Sequence, residues 1–102
     1  MPHLRFRGVD ADTVADALPS LLPRLSESIG CPVDWLTVEL VETRFLTPVA
    51  PMIEILWFPR DGETQDAIAA LLTETFEAVS PTVVFLALAK RDYYENGAHF
   101  DV

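Results

Sequence analysis

A proline that follows the initiator methionine can do chemistry that an interior proline cannot. If Met1 is removed, the nitrogen of Pro2 becomes a free secondary amine able to take up and return a proton; if Met1 stays, it is an amide without basicity. The plainer reading of Pro2 is a proline at the first residue of a strand, a position that tolerates the missing N–H. The cations available to meet an anionic substrate are Arg5, Arg7, Arg44, Arg60, Lys90 and Arg91. Lys90-Arg91 is the best placed as an anion contact, because Tyr93-Tyr94 follow it closely. Cys31, between Gly30 and Pro32, has no histidine near it in sequence to activate its thiol and reads as a small packing residue in a loop. His3 and His99 are too few for a metal site, so neither a metal nor another cofactor is expected.

The composition narrows the function classes. With 102 residues and 50% hydrophobic content, residues 1–102 fit a single domain with a real core. Sixteen acidic against seven basic residues give a formal charge of −9, whose field repels phosphate backbones and anionic lipid, so nucleic acid and membrane surfaces are poor partners. A local basic cluster can still attract a small anionic metabolite. A single cysteine excludes an internal disulfide and fits a reducing compartment. The longest apolar run, VVFLALA, is far short of the roughly 20 residues that span a bilayer, and no basic region precedes an apolar stretch at the start. The expected location is cytoplasmic.

The elements that would position these residues follow from periodicity. HLRFR alternates, which predicts a strand over residues 3–7 with Leu4 and Phe6 on one face and His3, Arg5 and Arg7 on the other. Val14, Leu18, Leu21, Leu22, Leu25 and Ile29 form a stripe at helical spacing, predicting a helix over 11–29 that starts beside Asp10 and Asp12 and stops at Gly30. Pro19 and Pro23 fall opposite the stripe, which predicts a bent helix with both prolines in water; a helix starting only at Pro19 is the alternative. WLTVELVE alternates again, with Leu36, Val38 and Leu40 on one face and Trp35, Thr37, Glu39 and Val41 on the other. A third strand is expected from Met52 to Phe58. A second helix should follow Asp61-Gly62, carry Ile68, Leu71, Leu72, Phe76 and Val79 inward, and end at Ser80-Pro81. TVVFLALA reads as a strand covered on both faces, and Asn96-Gly97 as a turn.

The pattern βαβ thus occurs twice, over about residues 2–44 and 51–90, with Asp16-Ala17-Leu18 matching Asp66-Ala67-Ile68 and Leu21-Leu22 matching Leu71-Leu72. Right-handed crossovers place both helices on one face of a four-stranded mixed sheet, an α+β two-layer fold. The opposite face then carries Arg5, Arg7, Glu39 and Glu54, expected to pair, together with Trp35, Val41, Met52, Leu56 and Phe58. So much apolar surface predicts an oligomer that buries it.

The repeated βαβ pattern, Pro2, and GCPVDWLTVELVE followed by PMIEILWF resemble the tautomerase superfamily, specifically its macrophage migration inhibitory factor-like single-chain form. MPHLRFRG and KRDYYENGAHF are similar to a small bacterial family of unknown function assigned to that superfamily, and the similarity covers nearly the whole chain. The resemblance implies a homotrimer whose sheets wrap an inner barrel, with Pro2 near a cleft between subunits. It also implies an isomerase in which the exposed proline shuttles a proton on a small keto, enol or unsaturated acid. An α-amine titrates at about 7.7–8.0, and burial lowers that value, so Pro2 freed of Met1 can act as a base at cellular pH.

Several positions depart from the superfamily's pattern. Oxalocrotonate tautomerase-type relatives carry an arginine at the start of the first helix and another on the second strand, where this chain has Ala11-Asp12 and Thr37. Cytokine-like relatives carry a lysine where this chain has Cys31, and polar residues where it has VVFLALA. Substrate contacts must therefore come from other residues, with Arg5, Thr37, Lys90, Arg91 and Tyr93 as candidates beside a catalytic Pro2. The competing reading is a noncatalytic small-molecule-binding or assembly protein on the same trimeric fold. A ferredoxin-like sheet shares the element order, and parallel pairing of the first two strands would exclude it.

Overall fold

The computed structural model describes residues 2–99; Met1 and the closing Phe100-Asp101-Val102 lie outside them. Strand β1 spans His3–Arg7, helix α1 Ala11–Ile29, β2 Thr37–Leu40, β3 Met52–Trp57, helix α2 Gly62–Thr75 and β4 Thr82–Ala87. Two short strands, β5 (Tyr94–Glu95) and β6 (Ala98–His99), form a hairpin whose turn residues Asn96 and Gly97 both have positive φ, 53° and 78°. That turn geometry matches the twist of a tight hairpin.

The main sheet has the order β2-β1-β3-β4, with β1 parallel to β2, β1 antiparallel to β3 and β3 parallel to β4. Direct parallel pairing of β1 with β2 excludes the ferredoxin-like arrangement. Alternation sets the core: Leu4 faces Ile55 and Phe6 faces Ile53 across the β1–β3 pair, and all four are buried beneath the helices. Phe6 meets Phe76 edge-on at 5.2 Å between ring centroids, and Trp57 meets Phe85 at 5.0 Å. Val14, Leu21, Leu25 and Ile29 of α1 and Ile68, Leu71 and Leu72 of α2 complete the layer.

Helix α1 begins at Ala11 and passes through both prolines, which lie on its solvent side. It stops at Gly30, whose φ of 79° is the left-handed conformation that favours glycine, with the Gly30 N–H donating to Ser26 O. Asp10 holds the N-cap position, but its carboxylate makes no capping bond. At α2 the cap is made: Asp61 accepts from Thr64 N–H at 2.8 Å, which holds its carboxyl below the usual range.

Several boundaries differ from the periodicity, among them the ends of β2 at Leu40 and of β4 at Ala87, each two residues early. Trp35 belongs to a 3-10 turn, Val33–Trp35, because its N–H donates back to Pro32 O at 3.0 Å, so β2 starts at Thr37. Strand β3 ends at Trp57, one residue early, since Phe58 precedes Pro59, which lacks an N–H for the ladder. Helix α2 ends at Thr75, well before Ser80. Thr73 and Thr75 donate their hydroxyls to carbonyls four residues back, at 2.8 and 2.7 Å, an arrangement that competes with the helical ladder. A 3-10 turn, Glu77–Val79, carries the chain on to Ser80.

Candidate functional site

The topology gathers one end of the sheet. Because β1 runs antiparallel to β3, its start lies beside the end of β3, with His3 opposite Leu56; one further step of register sets Pro2 across from Trp57. The start of β2 lies there as well, since Thr37 N–H donates to Pro2 O at 3.2 Å. The end of β4 joins them through Leu88 N–H, which donates to Trp57 O at 2.7 Å. The last turn of α1, the first turn of α2 and the Lys90–Asp92 turn after β4 all flank this end.

Pro2 shares its parity with Leu4 and Phe6 and is fully buried. Cys31 is also buried, at 7% exposure, and burial pushes its thiol up, while the nearby Arg60 guanidinium pulls it partly back. The thiol is protonated at neutral pH and is a weak nucleophile. Arg60 is half-buried: its Nη1 donates to Phe58 O at 2.5 Å, and the guanidinium carbon lies 5.9 Å from the Trp57 ring centroid. Phe58 in turn meets the edge of Tyr93 at 5.4 Å. The Tyr93 hydroxyl lies 3.3 Å from Glu95 Oε1, and desolvation together with the Glu95 charge pushes the phenol upward. Lys90 and Arg91 are exposed on their 3-10 turn.

The sheet face away from the helices holds a second polar group. His3 Nε2 lies 2.7 Å from Glu39 Oε1, and His3 Nδ1 lies 2.6 Å from Thr37 Oγ1. A carboxylate only accepts, so Nε2 carries a proton, and in the neutral ring Nδ1 accepts from the Thr37 hydroxyl. The His3 bond holds the Glu39 carboxyl below its usual range. Arg5 and Arg7 share Glu54, with Arg5 Nη2 at 3.4 Å from Oε2 and Arg7 Nε at 3.3 Å from Oε1. The expected charge pairing is present, with Glu39 turned to His3 rather than to an arginine.

Of the residues singled out in the sequence, Pro2, Thr37, Lys90, Arg91 and Tyr93 belong to this end of the sheet, whereas Arg5 lies farther along β1 and is engaged by Glu54. Arg60 was counted among the available cations but not among the candidate substrate contacts. The only sign of its position was its place in PRDG between β3 and α2, in a loop that antiparallel pairing brings to the start of β1. Among the described residues no cluster of three or more His, Cys, Asp or Glu could hold a metal ion, and no helix is long and apolar enough to cross a membrane.

Comparison with known structures defines the class. A fused 4-OT, solved as an asymmetric trimer, superposes with a TM-score of 0.77 at 23% identity, covering 95% of this chain and 94% of that one. A macrophage migration inhibitory factor-like protein from Entamoeba histolytica superposes with a TM-score of 0.73 at 14% identity, covering 97% and 98%. The fold is therefore that of the tautomerase and migration inhibitory factor-like superfamily. The chain belongs to the family described as domain of unknown function DUF1904, whose model matches residues 1–99. A DUF1904 structure from Sebaldella termitidis is 42% identical, with a TM-score of 0.89 over 98% of this chain and all of that one. No curated protein matches the chain.

Proposed function

We propose that the protein is a proton-transfer isomerase of small keto, enol or unsaturated acids, acting through the nitrogen of Pro2 after Met1 is removed. The observation that supports this reading is the position of Pro2, fully buried at the head of β1 and one register step from the His3–Leu56 pair. Burial disfavours the charged ammonium and keeps a secondary amine available as a base near neutrality. In the reaction the Pro2 nitrogen takes a proton from the carbon beside the carbonyl, and the C–H electrons form the enol double bond. The proton then returns to a different atom of the same framework. Atoms and electrons balance without any cofactor.

A homotrimer suits the surface of the chain. Met52, Leu56, Val84 and Leu86 lie half-buried on the face away from the helices, and Trp35, Phe45, Leu46 and Val49 are exposed, with Leu46 at 90%. Packing these faces together would cover the apolar surface and enclose β4 on both sides. The single free thiol is consistent with a cytoplasmic location.

The full burial of Pro2 also favours a second reading, a binding or assembly protein in which the nitrogen never becomes free. Two measurements on protein made without a tag separate them. Intact mass shows whether Met1 is lost, and the rate of enol ketonisation is compared between wild type and Pro2→Ala. Loss of Met1 with a rate that collapses in Pro2→Ala supports the isomerase; equal inactivity of both across a panel of small enol acids refutes it.

A further inference from the structure

We propose that Thr37, His3 and Glu39 form a second catalytic centre, on the sheet face away from the helices, in which the Thr37 hydroxyl is the nucleophile toward small carboxylic esters. This activity goes beyond the isomerase reading and uses neither the Pro2 nitrogen nor the loop between β3 and α2.

Strand register brings the three side chains together. His3 on β1 pairs with Thr37 on β2, and Arg5 pairs with Glu39 two residues further on. Residues two apart on a strand share a face, so Thr37 and Glu39 stand on the side that His3 occupies, and the imidazole bridges them. Its Nδ1 lies 2.6 Å from Thr37 Oγ1 and its Nε2 lies 2.7 Å from Glu39 Oε1. Because the carboxylate only accepts, the Nε2 proton is committed to it, and Nδ1 of the neutral ring presents a lone pair to the Thr37 hydroxyl. A hydroxyl nucleophile needs this order: a base in contact with it and a third group that orients the base.

The position on the sheet supports the same chemistry. Thr37 and Glu39 are exposed and His3 is half-buried, so an ester can reach the hydroxyl from solvent. The half-buried apolar residues of this face, Met52, Leu56, Val84 and Leu86, belong to β3 and β4, whereas the three polar residues belong to β1 and β2. Strand β2 is at the edge of the sheet order β2-β1-β3-β4. The Thr37 and Val41 N–H groups turn inward, to Pro2 O and Phe6 O, so by alternation the Val38 N–H points to the outer edge. Val38 directly follows the nucleophile, and an N–H in that place can hold the oxygen of a tetrahedral intermediate. The His3 bond holds the Glu39 carboxyl low, so it is ionised at neutral pH and stabilises the imidazolium that forms during attack.

In the first step a lone pair of Thr37 Oγ1 forms a bond to the acyl carbon as the hydroxyl proton passes to His3 Nδ1. The bond from the acyl carbon to the leaving oxygen then breaks, and that oxygen takes the proton from His3. Water repeats the sequence on the threonyl ester, which releases the carboxylic acid and restores the hydroxyl. Atoms and electrons balance with water as the only co-reactant. Glu39 touches no reacting atom and is a positioning residue.

The test uses a fluorophosphonate, because attack on its phosphorus forms an Oγ1–P bond, expels fluoride and leaves a stable adduct. Peptide mass mapping should place the adduct on Thr37, and the same protein should turn over p-nitrophenyl acetate. Thr37→Val should abolish both reactions, and Thr37→Ser should keep both because it retains a hydroxyl. His3→Gln should slow adduct formation about 100-fold. Glu39→Gln should lower kcat for the ester while KM stays unchanged. An adduct only on other residues, no adduct at millimolar probe, or an adduct on Thr37 that forms as fast in His3→Gln overturns the assignment. Ester turnover that survives Thr37→Val does the same. Thermal midpoints show which variants are folded, and mapping on the wild type decides the assignment even where a variant is not.

Discussion

Glu54→Gln is the most informative single change to the sheet. Glu54 stands between two arginines at 3.4 and 3.3 Å, with its side chain 13% exposed. The substitution keeps the shape and one acceptor oxygen but removes the charge, leaving two guanidiniums facing each other across one neutral amide. At these separations each ion pair is worth about 5 kcal/mol gross at an effective dielectric of 20. Removing one partner of a fully buried pair costs about 3–5 kcal/mol. The Arg5 and Arg7 side chains are 26% and 34% exposed, so water screens part of the loss, and the expected net cost is about 2 kcal/mol. For a domain of about 100 residues this lowers the thermal midpoint by about 8–16 °C. The assay is thermal and urea unfolding at one fixed protomer concentration, since assembly would make the midpoint concentration-dependent. Glu39→Gln provides the comparison and should cost distinctly less, because Glu39 is exposed. A midpoint for Glu54→Gln within error of wild type would refute the reasoning, as it would mean that the arginines are satisfied without the carboxylate.

Two further outcomes follow from local geometry. Gly8→Ala should destabilise more than Gly30→Ala, although both glycines have positive φ, 76° and 79°: a Cβ at Gly8 would lie 2.8 Å from a Phe45 ring carbon, while at Gly30 nothing lies within 4 Å. The Gly30 change should cost the left-handed penalty of about 1–2 kcal/mol, the Gly8 change visibly more in urea midpoints, and Gly8→Ala combined with Phe45→Ala should recover part of the difference. The pH dependence of stability follows from Glu39, whose carboxyl is depressed by its bond to His3. A depressed carboxyl contributes stability that is fully present above its unfolded value and is lost as pH falls through the folded value. Acid titration of unfolding should therefore show a loss below the usual carboxylate range that is smaller in Glu39→Gln.

Much of the fold was readable from the order of residues. The stripe in α1 ran through Pro19 and Pro23 without a break, and because both fell on the side opposite the stripe, the helix could continue past them. Strand β1 was legible from strict alternation, and the doubled βαβ pattern with right-handed crossovers implied a mixed sheet with β1 beside β2. Boundaries were less legible where a local hydrogen bond overrode periodicity. Trp35 matched the alternation of β2 but folds back on Pro32, and the threonines near the end of α2 engage carbonyls that periodicity cannot see.

The candidate site was legible only in part. Pro2 could be read from its place in the chain, and Lys90-Arg91 from the company of two tyrosines. Arg60 could not, because nothing within PRDG distinguishes a solvated loop arginine from one held over a tryptophan. Its partners, Phe58 and Trp57, are close in sequence, but Pro2 and Cys31 are far away. Antiparallel pairing of β1 with β3 and parallel pairing of β1 with β2 bring those segments to one end of the sheet. The division has a simple physical cause. Periodicity and helix stops act over a few residues, so the sequence alone determines the elements, their buried faces and the chemical potential of a proline at position 2. Which segments gather around that proline depends on strand direction and register. Those are settled by burying Leu4, Phe6, Ile53, Ile55 and Trp57 together under two helices, and the tertiary structure alone decides that.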